Sequence, residues 1–193
     1  MWEDQPYTLD LSDVIRISDE DLLKISAANP DLRIERNAAG QLEIMAPSGI
    51  SSTVFETKFV GALYAWNEHQ GGGIVCAGTG GFKLPNSAVR APDASWFRAE
   101  VWNALSRDQQ DNYAPIVPEF LVEVRSPTDS LRALHAKMKE WIENGCRLAW
   151  MIDPIKKEAY VYRADASVDQ PPFDSILTGD DVLPGFEFDL KKL

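Results

Sequence analysis

Three acids and two bases stand where they could work together. Glu123 lies inside an almost unbroken apolar run, Phe120–Val124, bounded by Pro118 and Pro127. A carboxylate there is costly unless a cation or hydrogen-bond donors satisfy it. Asp93 follows Pro92 at the mouth of another strand-like segment, about thirty positions earlier. Glu56 falls at the edge of an apolar helical stripe. Arg125 comes two residues after Glu123, and Lys137 lies further on. Two or three acids converging with a basic group form a minimal set for divalent-metal hydrolysis of a phosphodiester. Hard carboxylate oxygens hold magnesium. The ion polarises the phosphate and supplies hydroxide, while Lys or Arg orients water or neutralises developing charge. The same residues admit a plainer reading. Glu123 could pair with Arg125 and fix the sheet to a helix, and Glu56 could be a solvated helix-edge acid.

The elements that must position these residues follow from periodicity. Alternation in the run at 120–124 puts Phe120, Val122 and Val124 on one face, and Leu121, Glu123 and Arg125 on the other. Ser126 reads as a helix-entry cap. A helix is expected from about Ser130 to Asn144, ending at Gly145, with Leu134, Met138 and Trp141 in its stripe. At about 100° per residue, Lys137 falls at the edge of that stripe and Lys139 on the opposite edge. Arg147–Asp153 reads as a buried strand. The unit from Phe120 to Asp153 is therefore strand–helix–strand, long enough for a parallel crossover.

Upstream, Ser18-Asp19-Glu20-Asp21 is a capping-box-like start to a helix ending near Ala28. Leu32–Arg36 and Gln41–Ala46 read as a hairpin around Asn37…Gly40. A long helix over about Ser52–Gln70 carries Phe55, Phe59, Leu63 and Trp66 in its stripe. The glycine-rich piece Ala77–Gly81 lacks a following Lys-Ser/Thr and a following helix, so it reads as a bulge or a close backbone approach. Gly81–Leu84 and Ala88–Phe97 read as a second hairpin, and Val101–Gln110 as a surface helix. Glu158–Arg163 and a closing strand near 185–190 complete an α/β or α+β arrangement with a mixed sheet.

Composition narrows the classes. The chain has 193 residues, 45% of them hydrophobic, which suits one domain with a real core. A net charge of −11 gives no long-range steering towards a polyanion. Only His69 and His135 are histidines, and no His-Cys cluster exists to bind zinc. No GxSxG elbow is present. Trp66, Trp96, Trp141, Trp150, Tyr160 and Tyr162 recur at strand or helix spacing and read as core. Cys76 and Cys146 read as free thiols in a reducing compartment. No apolar run is long enough for a membrane span, and the start lacks a signal-peptide pattern. The expected setting is the cytoplasm.

Pro92-Asp93 followed by Glu123-Val124-Arg125 resembles the PD-(D/E)XK nuclease signature. The wider pattern resembles the bacterial Uma-type restriction endonuclease family. The matching blocks are NPDLRIER, IMAPSG, VRAPDASWF, PEFLVEVRSPTD, KMKEWIENGCRLAWMIDP and DVLPGFEFDL, in order from about residue 29 to 190. The resemblance implies a restriction-endonuclease-like core, a mixed β-sheet flanked by helices, with an N-terminal helix and β-hairpin. On that reading 1–193 is a single domain. Residues 1–50 form the helix and hairpin extension, 51–165 the nuclease core, and 166–193 a C-terminal loop and strand.

The resemblance also implies Mg2+- or Mn2+-dependent hydrolysis of DNA. Asp93 and Glu123 would be metal ligands, with Glu56 matching the acid of the first core helix. The position two after the Glu is normally Lys and is here Arg125, which cannot act as a base but can bind phosphate. The Uma-type pattern places a Lys on the next helix, here Lys137, which lies closer to the packed face than Lys139. The implied catalytic set is Asp93, Glu123, Lys137 and Arg125. By the same analogy the fold would pair as a homodimer. The charge of −11 and the missing motif lysine motivate a second reading, a non-catalytic binding or assembly module that keeps the fold.

Overall fold

In the computed structural model, residues 7–45, 49–70 and 72–193 are described. The break expected at Pro47-Ser48 and the first glycine of Gly71–Gly73 lie outside them. The apolar run becomes strand β8 (Phe120–Val124), buried along its whole length. It sits inside a six-stranded mixed sheet. On one side it pairs antiparallel with β7 (Ala94–Arg98), which in turn pairs with β4 (Gly73–Ala77). On the other side it pairs parallel with β9 (Leu148–Asp153), followed by β10 (Glu158–Arg163) and the short β11 (Val168–Asp169). The parallel β8–β9 pair requires a crossover. Helix α5 (Leu131–Glu143) supplies it, as the strand–helix–strand pattern predicts.

Alternation decides what covers each face. Phe120, Val122 and Val124 pack with Phe59 and Leu63 of helix α2 (Ile50–Gln70), and with Phe186 and Phe188 near the C-terminus. Phe188 stacks on Phe59 with ring centroids 4.2 Å apart. Leu121 packs on the opposite face with Leu134, Met138 and Trp141 of α5. Trp141, Trp150 and Tyr162 are core, in line with their spacing.

A five-stranded sheet made largely by the N-terminal part stands beside this core. Its strands are β1 (Tyr7–Leu9), β2 (Arg33–Arg36), β3 (Leu42–Met45), β5 (Phe82–Lys83) and β6 (Val89–Arg90), in the order β1-β3-β2-β6-β5. Helix α1 (Asp19–Ala28) packs there through Leu22. The capping box that Ser18 and Asp21 predict is formed. Asp21 N donates to Ser18 Oγ at 3.1 Å, and Ser18 N donates to an Asp21 carboxylate oxygen at 3.1 Å.

Four local expectations are corrected. Residues 88–97 are not one returning strand. The chain leaves β6 after Arg90 and enters the large sheet at Ala94, because Pro92 carries no N–H to continue a ladder. Val101–Gln110 is not one helix. Ser106 starts a new helix with its own capping box to Gln109, so α3 (Ala99–Asn103) and α4 (Arg107–Asp111) are separate. The cap of α5 is Ser130, whose Oγ accepts from Ala133 N, and not Ser126. The closing strand β13 (Glu187–Asp189) pairs with β12 (Ile176–Thr178) in a stretch that reads as loop. The close approach expected of the glycine-rich piece is present at Gly81, where a Cβ would lie 2.3 Å from the Tyr113 ring.

Candidate functional site

The antiparallel register of β7 and β8 pairs Ala94 with Val122. Continued by one residue, it sets Asp93 opposite Glu123, and opposed residues of an antiparallel pair point to the same face. Both acids are buried, each about 4% exposed. Asp93 Oδ2 accepts from Val124 N at 2.7 Å, and its Oδ1 accepts from Arg33 Nη1 at 3.1 Å. Glu123 Oε1 lies 2.8 Å from Lys137 Nζ and accepts from Trp141 Nε1 at 3.3 Å. Lys137 therefore reaches the strand from the edge of α5 where the helical geometry puts it, whereas Lys139 is exposed.

The pocket above these acids has a volume of about 430 Å3. Asp93, Glu123, Glu56 and Lys137 all line it, so four of the five sequence-predicted residues converge. Glu56 is half-buried on α2, with no hydrogen-bond partner among the described residues. Arg125 is the fifth, and it is placed elsewhere. Its Nη1 lies 2.8 Å from Asp153 Oδ2, and its Nε donates to Asp129 O at 3.0 Å. The Glu123–Arg125 pair considered from sequence is not formed. Glu123 and Arg125 share a face, but parallel β9 offers Arg125 a fully buried carboxylate at the strand end, while α5 offers Glu123 a lysine.

Sequence reasoning missed the residues that β2 and β6 contribute. Lys137 Nζ also donates to Glu35 Oε1, at 3.1 Å. Glu35 in turn accepts from Ala91 N at 3.2 Å and lies 3.2 Å from Arg90 Nη1. Arg90 also pairs with Glu43, and with Glu140 of α5 at 2.7 Å. This arginine, wedged among three carboxylates, ties the N-terminal sheet to α5. Arg33 and Glu35 alternate with Ile34, a pattern that reads as the solvated face of a hairpin. The one signal lay in the block Asn29–Arg36, which contains them and matches the family pattern.

The electrostatics separate the two glutamates that share Lys137. Burial pushes the Glu35 carboxyl up, but Lys137, Arg90 and Arg33 together outweigh it and hold the group at about 2. Glu123 has fewer cations to set against its surroundings. Burial lifts it to about 7, with Lys137 opposing and Asp93 and Glu35 adding to the rise. Burial disfavours the Lys137 ammonium, yet Glu123 and Glu35 overcome this and keep its pKa above the usual lysine value. Burial, then repulsion from Asp93, raises Glu56.

A carboxyl whose folded pKa is depressed stabilises the fold above its unfolded pKa. That contribution is lost as pH falls through the folded value. For Glu35 the window runs from about 4.5 down to about 2. Its contribution is of the order of a few kcal/mol. Glu35→Gln is expected to lower the melting temperature at pH 7 and flatten the acid limb of the stability profile. An unchanged acid limb would show that Glu35 does not hold the hairpin in place.

The chemistry of the donor set suits a hard divalent cation. Seven carboxylates face three cations around the pocket, and oxygen ligands are what magnesium and manganese take. Among the described residues, no three His, Cys, Asp or Glu side chains form a ready-made metal cage. The nearest cations to Asp93 and Glu123 are Arg33 and Lys137.

A mixed sheet with a parallel strand–helix–strand unit, helices on both faces and paired acids on the central strands has the restriction-endonuclease-like fold. The chain belongs to the Uma2 family, described as "Putative restriction endonuclease", whose model matches residues 19–191. A crystal structure described as "a putative nuclease belonging to DUF820", from Anabaena variabilis, superposes with a TM-score of 0.73. That similarity covers 91% of this chain and 96% of the other, at 17% sequence identity, and concerns the fold. No curated protein matches. Among the described residues, no helix is long and apolar enough to cross a membrane.

Proposed function

We propose that this chain is a divalent-metal-dependent endonuclease that hydrolyses phosphodiester bonds of DNA. The reading rests on one observation above the others. Asp93, at the mouth of β7 and bonded to Val124 N, and Glu123, on adjacent β8, both line an open pocket, with Lys137 against Glu123. Asp93 and Glu123 would hold Mg2+ or Mn2+, with Glu56 as a third carboxylate. The ion would polarise the phosphate and make bound water acidic enough to supply hydroxide.

The protein's own groups do the rest. Lys137, kept protonated by Glu35 and Glu123, donates a hydrogen bond and a positive charge, and so steadies charge developing on phosphate oxygen. It orients water without abstracting its proton. Glu35 fixes the lysine's position. Arg125, committed to Asp153 and Asp129, braces the strand end that carries Glu123. Within this proposal 1–193 acts as one nuclease domain in the cytoplasm, a setting that the two free thiols suit. The carboxylate excess of the pocket repels a polyanion until cations offset it, which accords with an ion binding before DNA.

The prior pairing of Asp93 with Arg33 and of Glu123 with Lys137 favours a second reading, a binding module with a self-neutralised pocket. Calorimetric titration of Mg2+ and Mn2+ into wild type and Glu123→Gln separates the two. Binding by wild type that the folded variant loses supports the metal site. No binding by wild type, with or without a short DNA duplex, sinks it and leaves the module.

A further inference from the structure

The three cations of the pocket are not equivalent. Arg90 is buried among Glu35, Glu43 and Glu140, and Lys137 is clamped between Glu35 and Glu123. Arg33 is the most open of the three, with 29% of its side chain exposed against 7% and 14% for the others. It is also incompletely satisfied. Nη2 donates to Ala91 O and lies 3.6 Å from Glu35 Oε1, and Nη1 donates to Asp93 Oδ1, while Nε is buried with no hydrogen-bond partner among the described residues. A buried donor left unpaired costs free energy and favours any ligand that supplies an acceptor.

The oxygen that Arg33 holds is the one a metal would need. Asp93 Oδ2 is already taken by Val124 N, so Oδ1 is where a cation can gain most, and Arg33 Nη1 is there. We propose that Arg33 is a substrate-binding residue for a phosphate of the nucleic-acid backbone, held on Asp93 until a divalent cation displaces it. This deepens the nuclease reading and rests on it. Once displaced, the guanidinium stays tethered to the Ala91 carbonyl and to Glu35, and Nη1 is freed to donate to a phosphate. Charge-assisted contacts from arginine to phosphate are strong and geometrically selective. Because the cation and the phosphate each draw Arg33 away from Asp93, each favours binding of the other.

The test needs no turnover. Mn2+ affinity is measured by calorimetry, and affinity for a short DNA duplex by fluorescence anisotropy with Ca2+ in place of Mn2+. Wild type and Arg33→Met are compared, with Glu123→Gln as the metal-site control. With its competitor removed, Arg33→Met is expected to bind Mn2+ roughly tenfold more tightly and the duplex roughly tenfold more weakly. These opposite changes are not what a merely structural role would give. Unchanged or weaker Mn2+ binding overturns the proposal, and so does unchanged duplex binding. If Mn2+ binds wild type and not Glu123→Gln while Arg33→Met matches wild type, only the role of Arg33 falls. If no protein binds Mn2+, with or without the duplex, the nuclease reading falls with it. Should Arg33→Met fail to fold, Arg33→Lys carries the test. It keeps one charge near Asp93, so Mn2+ affinity near wild type with weaker duplex binding supports the proposal, and wild-type duplex affinity overturns it.

Discussion

Asp93→Asn is expected to reduce DNA cleavage by about 10^3-fold or more while the protein stays folded. The substitution keeps the side chain's size and one carbonyl oxygen, so Val124 N retains an acceptor. It removes the negative charge that faces Arg33 and would hold a divalent ion. With the carbonyl oxygen on Val124 N, the amide NH2 cannot accept from Arg33, so the Arg33 contact is lost at a cost of about 1–3 kcal/mol, Arg33 keeping the Ala91 carbonyl and Glu35. A domain of this size has about 5–15 kcal/mol to lose before it unfolds. The activity loss corresponds to about 4 kcal/mol of barrier, so the two effects separate when cleavage and melting temperature are measured on the same samples. Asp93→Ala, which also leaves Val124 N unpaired, should lose cleavage equally and more stability. Substantial cleavage by a folded Asp93→Asn protein would remove Asp93 from the reaction and the proposed metal site with it.

The parts of this arrangement that could be read from sequence share a cause. β8, α5 and β9 are written locally, as an apolar run, a stripe at helical spacing and a second apolar run. Local patterns survive folding when the tertiary context agrees with them. Glu123 stood out because a carboxylate inside an apolar strand demands a partner. The step of about 100° along α5 put Lys137 at the edge of the packed stripe, and the family pattern matched it to the site. What could not be read depends on contacts distant in the chain. Glu35 and Arg33 sit on a short hairpin strand whose charged face would be solvated on its own. It is buried because Arg90, more than fifty residues away, bridges β2, β3 and α5. Arg125 shares a face with Glu123, and only the parallel neighbour β9 reveals that Asp153 takes it. The break at Pro92 was visible as a proline, but its consequence was not. It lets one continuous stretch supply β6 to one sheet and β7 to another, with Asp93 at the crossing.

Lys137→Met tests the clamp that joins those two parts. The ammonium sits 2.8 Å from Glu123 and 3.1 Å from Glu35, with the lysine side chain 14% exposed. Removing one member of a buried ion pair costs about 3–5 kcal/mol, because the charge left behind has neither water nor partner. In a chain of this length that lowers the melting temperature by roughly 10 °C. The two glutamates should not suffer alike. Glu35 keeps Arg90, Arg33 and the Ala91 N–H, whereas among the described residues Glu123 keeps only the Trp141 indole N–H as a direct donor. Glu123 is therefore the orphan, and adding Glu123→Gln to Lys137→Met should recover part of the lost stability. In the wild-type background the same Glu123→Gln change should be mildly destabilising, since it loosens the lysine. That change of sign is the signature of a coupled pair. If the two substitutions were instead additive, Lys137 would be a solvated helix-edge cation with no hold on β8. Among the described residues, the N-terminal sheet would then keep the Arg90–Glu140 pair as its ionic contact to α5.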